Sequence, residues 1–591
     1  MLTKIRFTLN TAGDFIMNTM TYDVAICGGG LAGSTLARQL KLTMPDLSII
    51  VFDRLARPLP EGAFKVGEST VEVGSYYLAE ILQFSDNYFK LNHMPKLGLR
   101  FFLGDAQGKF EERPELGLSK FHSPSSYQID RGKFENDLRN LNIEAGIESL
   151  ENCKIIDIIL SKNNQEFHEI VYTQDDTKQK NIIKAKWVID AMGRRRFLQK
   201  KLGLAQRNSS KHSAVWFWVN ERVDVSDFVP KSNQNWHERV PGNQRYYSTN
   251  HLCGKGYWIW MIPLPGNYTS IGIVTDETVH PFGEHNTEEK AFNWLQTYEP
   301  TLANHLQGIS TQKFMKMPHY SYSSKQVFSN NRWACVGEAG VFPDPFYSPG
   351  TDLIGFGNSL VTQMIEADLQ GKLTSEIVAE ANRFLLTYSE GVKDNIHKVY
   401  SCFDQDLVMA IKVIWDTLSG WAFSAPLMFN SIFLDSEKRA KIRQGSGQFF
   451  LLAHRMQKLF IDWAELSQNR GTYEYLDYLE MDFIKQLRSR NLQSNKTEQQ
   501  LIDDHIASLE MFEELAQVIF RMALEDTMPE KLADFPESAW LNAWAISLNE
   551  HRWEKDGLFR PRTQPRDLHP MTQQLRKKIH FPSVVKQLVT V

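Results

Sequence analysis

The segment that most restricts what this chain can fold into runs from residue 22 to residue 53. Tyr22-Asp23-Val24-Ala25-Ile26-Cys27 is a short β-branched apolar run ending in Gly28-Gly29-Gly30-Leu31-Ala32-Gly33. A helical pattern through LARQLKL follows, and then a second apolar run, LSIIVFD, closes at Asp53. Strand, glycine turn, helix and strand in that order make the first unit of a Rossmann-like α/β domain. The glycines have mechanical work: a tight turn at Gly28, backbone approach to a pyrophosphate at Gly30, and close helix packing at Gly33. The helix N-terminus faces the phosphates. Asp53, 20 residues after Gly33, stands where a carboxylate can hydrogen-bond ribose hydroxyls. A dinucleotide is the expected ligand, with Gly28, Gly30, Ala32, Gly33 and Asp53 around it.

The rest of the chain bounds the answer further. Its 591 residues are 42% hydrophobic, enough for several domains of about 150 residues. Lys and Arg number 66 against 70 Asp and Glu, for a net charge of -4, and no basic run is long enough to track phosphates, so nucleic acid is not an expected partner. The 5 cysteines are dispersed without a CxxC pair, which suits a reducing, cytoplasmic compartment and gives no metal site. Residues 1–20 lack a secretory signal and read as an N-terminal extension, with Met17 and Met20 as alternative starts. The most apolar later stretch, 408–434, carries Lys412, Asp416 and Pro426, short of the ~18 uninterrupted apolar residues of a spanning helix. Membrane contact is not expected.

Along the chain, 131–146 reads as a helix and 154–193 as alternating strands. SAVWFWV, GYWIWMIPL and YTSIGIVTD look like an antiparallel sheet, while WACVGEAG at 333–340 returns to a buried parallel strand. From about 357 the pattern is helical and rich in Trp, Phe and Met. The expected fold is therefore α/β: a Rossmann-like dinucleotide-binding part (about 21–204 and 325–370), an inserted antiparallel-sheet substrate part (about 205–324), and a helical region (371–591).

Three stretches narrow the dinucleotide. Asp130-Arg131, KWVIDAMGRR at 186–195 and Val336-Gly337-Glu338-Ala339 resemble the recurring motifs of flavoprotein monooxygenases related to the p-hydroxybenzoate hydroxylase class. That resemblance implies FAD, with Arg131 near the phosphates, Gly193 by the adenosine half, Gly337 in the third turn and Glu338 at the ribitol. The superfamily usually has Asp where this chain has Glu338.

Within that superfamily, Trp258-Ile259-Trp260-Met261-Ile262-Pro263 resembles the WxWxIP pattern of flavin-dependent halogenases, and Phe342-Pro343-Asp344-Pro345-Phe346-Tyr347-Ser348-Pro349-Gly350 resembles their FxxPxxSxG. VGEST at 66–70 resembles the family's first flavin loop, and MPKLGLRFF at 94–102 the segment bearing its active-site lysine, which makes Lys96 the candidate. The resemblance covers roughly 22–370. It implies that reduced FAD, delivered by a separate flavin reductase, O₂ and chloride or bromide give hypohalous acid, which Lys96 hands to a small aromatic substrate. A desolvated amine with a lowered pKa suits that task. Trp258 and Trp260 would keep substrate off the flavin, although alternate residues on one strand face are also what a core strand presents. Ser348 completes the catalytic set.

Two departures refine the expectation. Halogenases of free tryptophan carry Glu at the position of Tyr347, and a phenol cannot do a carboxylate's work at neutral pH. The resemblance is therefore to the phenol or pyrrole type, acting on free or carrier-tethered rings. The resemblance implies a halide beside Pro349, Gly350 and Thr351, and Pro349 has no N–H to offer it, which leaves open a weak chloride site, a preference for bromide or a loss of halogenation. The tryptophans of 372–591 read as core, with a lid over the substrate as the other option. Asp503, Asp504, Glu510, Glu513 and Glu514 read as an acidic face ill suited to a carrier protein. Two other readings stay open: an FAD-dependent aromatic hydroxylase, and a non-catalytic flavin-binding protein.

Overall fold

The computed structural model describes residues 20–580 apart from 61–62, 64, 105, 163–165, 175–176, 399, 469–472 and 537–538. The extension expected at the N-terminus lies almost wholly outside the described residues.

The chain begins with β1 (Thr21–Cys27), α1 (Leu31–Thr43) and β2 (Ile49–Phe52), then β3 (Met94–Lys96), β4 (Leu99–Phe102), β5 (Glu115–Leu116) and β6 (Ser126–Gln128). Next come α2 (Arg131–Glu144), β7 (Glu148–Leu150), β8 (Cys153–Ile159), β9 (His168–Gln174) and β10 (Thr177–Asp190). The central strands are β11 (His212–Val219), β12 (Thr249–Gly254), β13 (Tyr257–Leu264), β14 (Tyr268–Asp276), β15 (Thr311–Met317), β16 (Phe328–Ser329) and β17 (Trp333–Cys335). The longer helices that follow are α3 (Gly350–Leu369), α4 (Ser375–His397), α5 (Asp406–Ser419), α6 (Ser436–Leu466) and α7 (Glu498–Thr527), with a short strand β18 (Tyr475–Leu476) between the last two.

Two large sheets organise these pieces. In the first, the order is β16-β17-β10-β1-β2-β7, with β1 parallel to both β10 and β2, and β10 parallel to β17. β9 extends it by antiparallel pairing onto β10, and β8 pairs antiparallel with β9. The second runs β15-β11-β14-β13-β12-β4-β5-β18, antiparallel except where β12 joins β4 and β5 joins β18. The α/β class and the antiparallel reading of the three central runs are what the structure has.

The alternation of β13 explains why its strand reads as continuously apolar. Trp258, Trp260 and Ile262 face a core shared with Trp415, Trp463 and Phe512 of the C-terminal helices, while Tyr257, Ile259 and Met261 pack with Trp294 and Leu302 on the other side. Both faces are covered, so neither can be polar. Gly272, opposite Trp260 on β14, leaves the room its indole occupies: a Cβ there would lie 2.1 Å from the ring.

The acidic face expected at 503–514 is largely consumed internally. Glu513 is buried against Thr563 and Arg566, Glu514 also pairs with Arg566, and Asp504 pairs with Lys496. Arg566, more than 50 residues on, folds back onto the helix, which a local charge count does not register.

A buried charge cluster fixes the segment after Lys96. Arg100 on β4 and Arg245 both bond Glu115 on β5, the Arg245 contacts measuring 2.8 and 3.0 Å, and all three side chains are inaccessible to solvent. Removing the carboxylate leaves two guanidiniums buried without their counter-charge. Glu115→Ala should therefore lose about 3–5 kcal/mol of stability by urea denaturation; an unchanged midpoint would show that the cluster does not hold this corner.

Candidate functional site

The glycine turn is built as a nucleotide cradle. At Gly28 the backbone takes φ 122°, and a Cβ there would lie 2.3 Å from Ala191 O; at Gly33 a Cβ would lie 1.9 Å from Gly28 O. Those two glycines are required by the chain itself. Gly30 is different: it caps α1 at φ -77° and a Cβ would meet nothing within 4 Å. Its missing side chain leaves open space at a helix N-terminus, the place for a pyrophosphate. Ala32 lies against Gly337, which has φ 55°, so the first and third motifs touch. Gly193 also has positive φ, 56°, with open space beside it.

Asp53 is already engaged. Its carboxylate accepts from Leu55 N at 3.1 Å and from Arg57 Nε at 3.1 Å, and Arg57 Nη2 reaches back to Gly29 O at 2.8 Å. The acid expected at a ribose thus braces the glycine turn through Arg57. Arg131, at the start of α2, donates to Val66 O at 2.8 Å and to Glu135 at 2.6 Å, and its Nε is buried without a partner.

Arg131, Gly337, Glu338 and residues 348–351 line a cavity of about 110 Å³, with Trp258 and Trp260 as a further wall. Burial raises the Glu338 carboxyl, and the nearby Arg194 and Arg131 oppose that. The open space at Gly30 and the orphaned Arg131 Nε suit the phosphates of an FAD, and the cavity, at about 110 Å³, has room for only part of its flavin.

A second cavity, about 710 Å³, lies between β3, the FxxPxxSxG loop and the C-terminal helices. Lys96, Tyr347 and Asp352 line it from one side, and Trp421, Phe423 and Phe449 from the other. Lys96 is placed by the β3–β6 ladder, where it pairs with Ser126, and by Leu97 N donating to Tyr247 O at 2.9 Å. It is only 4% exposed. Its Nζ donates to Thr70 O at 2.7 Å and Ser69 Oγ at 2.8 Å. Ser69 Oγ in turn bonds Ser348 Oγ at 3.0 Å and Thr249 Oγ1 at 3.0 Å. Because Ser69 lines the small cavity and Lys96 the large one, this hydrogen bond crosses the wall between them. Ser348 holds φ 59°, a left-handed conformation costly for a residue with a Cβ.

Burial pulls the Lys96 amine down to about 7, with Glu72 and Asp352 acting against it. Burial likewise raises Asp352 to about 7, opposed by the Gly74 N–H and Lys96, and its Oδ1 has no hydrogen-bond partner. Glu68, in the small cavity, is pushed up to about 7 by burial.

Trp258 and Trp260 are both core and cavity wall. Their indoles donate to Tyr400 OH at 2.9 Å and Ser270 Oγ at 3.2 Å. Pro349 caps α3, whose first i→i-4 bond runs from Leu353 N to Pro349 O, so the N–H groups of Gly350 and Thr351 precede the helical ladder. Tyr347 donates to Asp416 Oδ2 at 2.9 Å; Asp416 comes from α5 and is ion-paired with Lys412. Sequence reasoning passed over Ser69, Asp352 and Asp416. Only the VGEST motif pointed toward the first; the others become neighbours of the site through tertiary packing.

Residues 102–406, just over half of the chain, match the family model described as Tryptophan halogenase. The chain belongs to this family. Among its relatives, the flavin-dependent halogenase chlA of Dictyostelium discoideum is 30% identical over 386 residues, and the match spans 59% of this chain and 60% of that protein. The 1H-pyrrole-2-carbonyl-[peptidyl-carrier protein] chlorinase of Pseudomonas fluorescens is 26% identical over 357 residues, 57% of this chain and 74% of that one. The crystal structure of halogenase PltM shares the fold with a TM-score of 0.59 at 19% identity, covering 89% of this chain and 99% of that one. The resemblance to flavin-dependent halogenases of non-tryptophan type therefore stands. Among the described residues of this family member, no helix is long and apolar enough to cross a membrane.

Gly30→Val tests the cradle. The backbone there accepts any side chain and a Cβ meets no atom within 4 Å, so the protein should fold normally while FAD occupancy falls to background in absorbance of the purified chain. Full occupancy would place the dinucleotide elsewhere.

Proposed function

We propose that the chain is an FAD-dependent halogenase that uses FADH₂, O₂ and halide to halogenate an electron-rich phenolic or pyrrolic ring, free or tethered to a carrier protein. The observation that carries this reading is the position of Lys96: a buried amine on the wall between a small cavity lined by Arg131, Gly337 and Glu338 and a large apolar one, linked to the first through Ser69 and Ser348. When bound and reduced, FAD supplies two electrons to O₂ and halide the other two, so that hypohalous acid and water result. A separate flavin reductase provides the FADH₂ in this reading.

The chain's own residues do the rest. Gly28, Gly30, Ala32, Gly33, Arg131, Gly193, Gly337 and Glu338 hold the cofactor, with Asp53 bracing the turn. Gly350 and Thr351 offer N–H groups at the positive end of α3 to an anion. Near neutral pH, protonation of Glu68 limits its repulsion of that anion. Lys96 receives the oxidant, either by hydrogen bonding to hypohalous acid or by forming an N–halogen bond with loss of water. Trp258 and Trp260 close the small cavity against the ring of the substrate, so that only the small oxidant passes. Asp352, beside Lys96 and half-protonated near neutral pH, accepts the proton that the ring releases.

The relatives act, by their names, on a carrier-bound pyrrole in two cases, one a chlorinase and one a brominase. Free tryptophan does not suit this cavity: Tyr347 occupies the carboxylate position, and the Asp416 behind it is neutralised by Lys412. An aliphatic and aromatic lining suits a lipophilic ring.

Lys96→Ala should abolish halogenated product while FAD binding and FADH₂ oxidation by O₂ continue, because the amine acts after the oxidant has formed. Product mass spectrometry with phenolic and pyrrolic substrates, a reductase, and chloride and bromide at equal concentration reads this directly. The unaltered chain should give mainly brominated product, since Pro349 withholds the donor that a strongly hydrated chloride needs most. Hydroxylated product independent of halide would make the chain a hydroxylase, and wild-type halogenation by Lys96→Ala would remove the lysine from the reaction.

A further inference from the structure

One interior group of ligand-type side chains is used by none of the chemistry above. His212 on β11, Asp344 in the loop before α3 and His397 at the end of α4 converge so that one ligand atom from each lies within 4.8 Å of the other two. His212 Nδ1 is 3.9 Å, and His397 Nε2 3.7 Å, from Asp344 Oδ2. These separations are too long for hydrogen bonds, so the three atoms surround a common space. His212 is 2% exposed and its Nδ1 is buried without any partner, an arrangement that costs free energy unless something fills it.

We infer that His212 Nδ1, Asp344 Oδ2 and His397 Nε2 form a site for one divalent first-row transition ion, with Zn²⁺ as its natural probe. Two imidazole nitrogens and a carboxylate oxygen are a ligand set suited to such an ion. Bonds of about 2.0–2.1 Å in tetrahedral array put ligand atoms roughly 3.3 Å apart, so the pairs to Asp344 need to close by only about half an ångström.

The surrounding groups support the carboxylate as an anchored ligand. Tyr320 OH donates to Asp344 Oδ2 at 2.7 Å, Phe346 N donates to Oδ1 at 2.9 Å, and Tyr400 OH lies 2.9 Å from Tyr320 OH and 3.1 Å from Oδ2. Trp258 Nε1 donates to Tyr400 OH. Run in one direction, from Trp258 through Tyr400 and Tyr320 to Asp344, the chain uses a single lone pair of Oδ2 and leaves the other for an ion. His397 Nε2 is also 3.2 Å from Pro343 O. With the imidazole proton on Nδ1, that nitrogen turns to the ion, and the carbonyl becomes an available oxygen ligand. Asp344 and Pro343 line the small cavity, which gives the ion a way in. The bound ion would tie α4 of the C-terminal region to the central sheet and to the loop carrying Ser348.

The full-length chain, stripped with a chelator and then titrated with Zn²⁺, tests this by metal analysis and thermal unfolding. One Zn²⁺ per chain and a dose-dependent rise in Tm are expected. His212→Gln and His397→Gln should each lose the stoichiometric ion, and Tyr400→Phe, which removes an outer contact, should weaken binding by about 10- to 100-fold. Co²⁺ in the unaltered chain should give the visible absorption of a low-coordinate nitrogen and oxygen site, a readout that needs no variant to fold. Absence of Zn²⁺ uptake and of the Co²⁺ bands, or uptake unchanged in both histidine variants, would overturn the site.

Discussion

The arrangement depends on the burial of one amine. Desolvation penalises the charged form of Lys96, and among the described residues two acceptors, Thr70 O and Ser69 Oγ, reach it within the wall. Both are neutral, and the carboxylates that oppose the shift, Glu72 and Asp352, stand on the side of the large cavity. An amine in that setting shares its proton readily near neutral pH, which is the condition for acting as a nucleophile toward a small electrophilic oxidant. The left-handed turn at Ser348 and the β3–β6 ladder serve the same end: they bring the FxxPxxSxG loop and the lysine strand to opposite sides of Ser69.

The C-terminal helices complete the site. They furnish the aromatic half of the large cavity, and they bring Asp416 and Lys412 behind Tyr347. Their aromatic spacing reads as core, and Trp415, Trp463 and their neighbours are core; Trp421, Phe423 and Phe449 are also cavity wall. The two readings of those aromatics are compatible because one apolar cluster continues from β13 into the helices.

What was legible in the sequence was local. The glycine turn, β1 and β2, the three apolar runs of the second sheet and the return of the parallel strand at 333 are set by periodicity and by positive φ at a few glycines. Lys96 was legible only through the resemblance carried by its flanks, since one lysine in a strand announces nothing by itself. The functional neighbours it acquires were not legible, because Ser69, Asp352 and Asp416 reach the wall from a loop, the first turn of a helix and a distant helix. The acidic stretch of α7 was legible only in part for the same reason: Asp503 and Glu510 are exposed as expected, while Arg566 and Lys496 pair with Glu513, Glu514 and Asp504 from outside the helix. His212, Asp344 and His397 sit too far apart in the chain for any spacing rule to join them.

The proposed role of Lys96 depends most directly on its protonation in the folded chain. Competitive acetylation across a pH series, with the extent at Lys96 quantified by mass spectrometry, measures it at the residue itself. A midpoint of about 7 is expected. A midpoint near 10.5, the ordinary value for lysine, would mean that the amine is charged throughout the working range and would contradict that role.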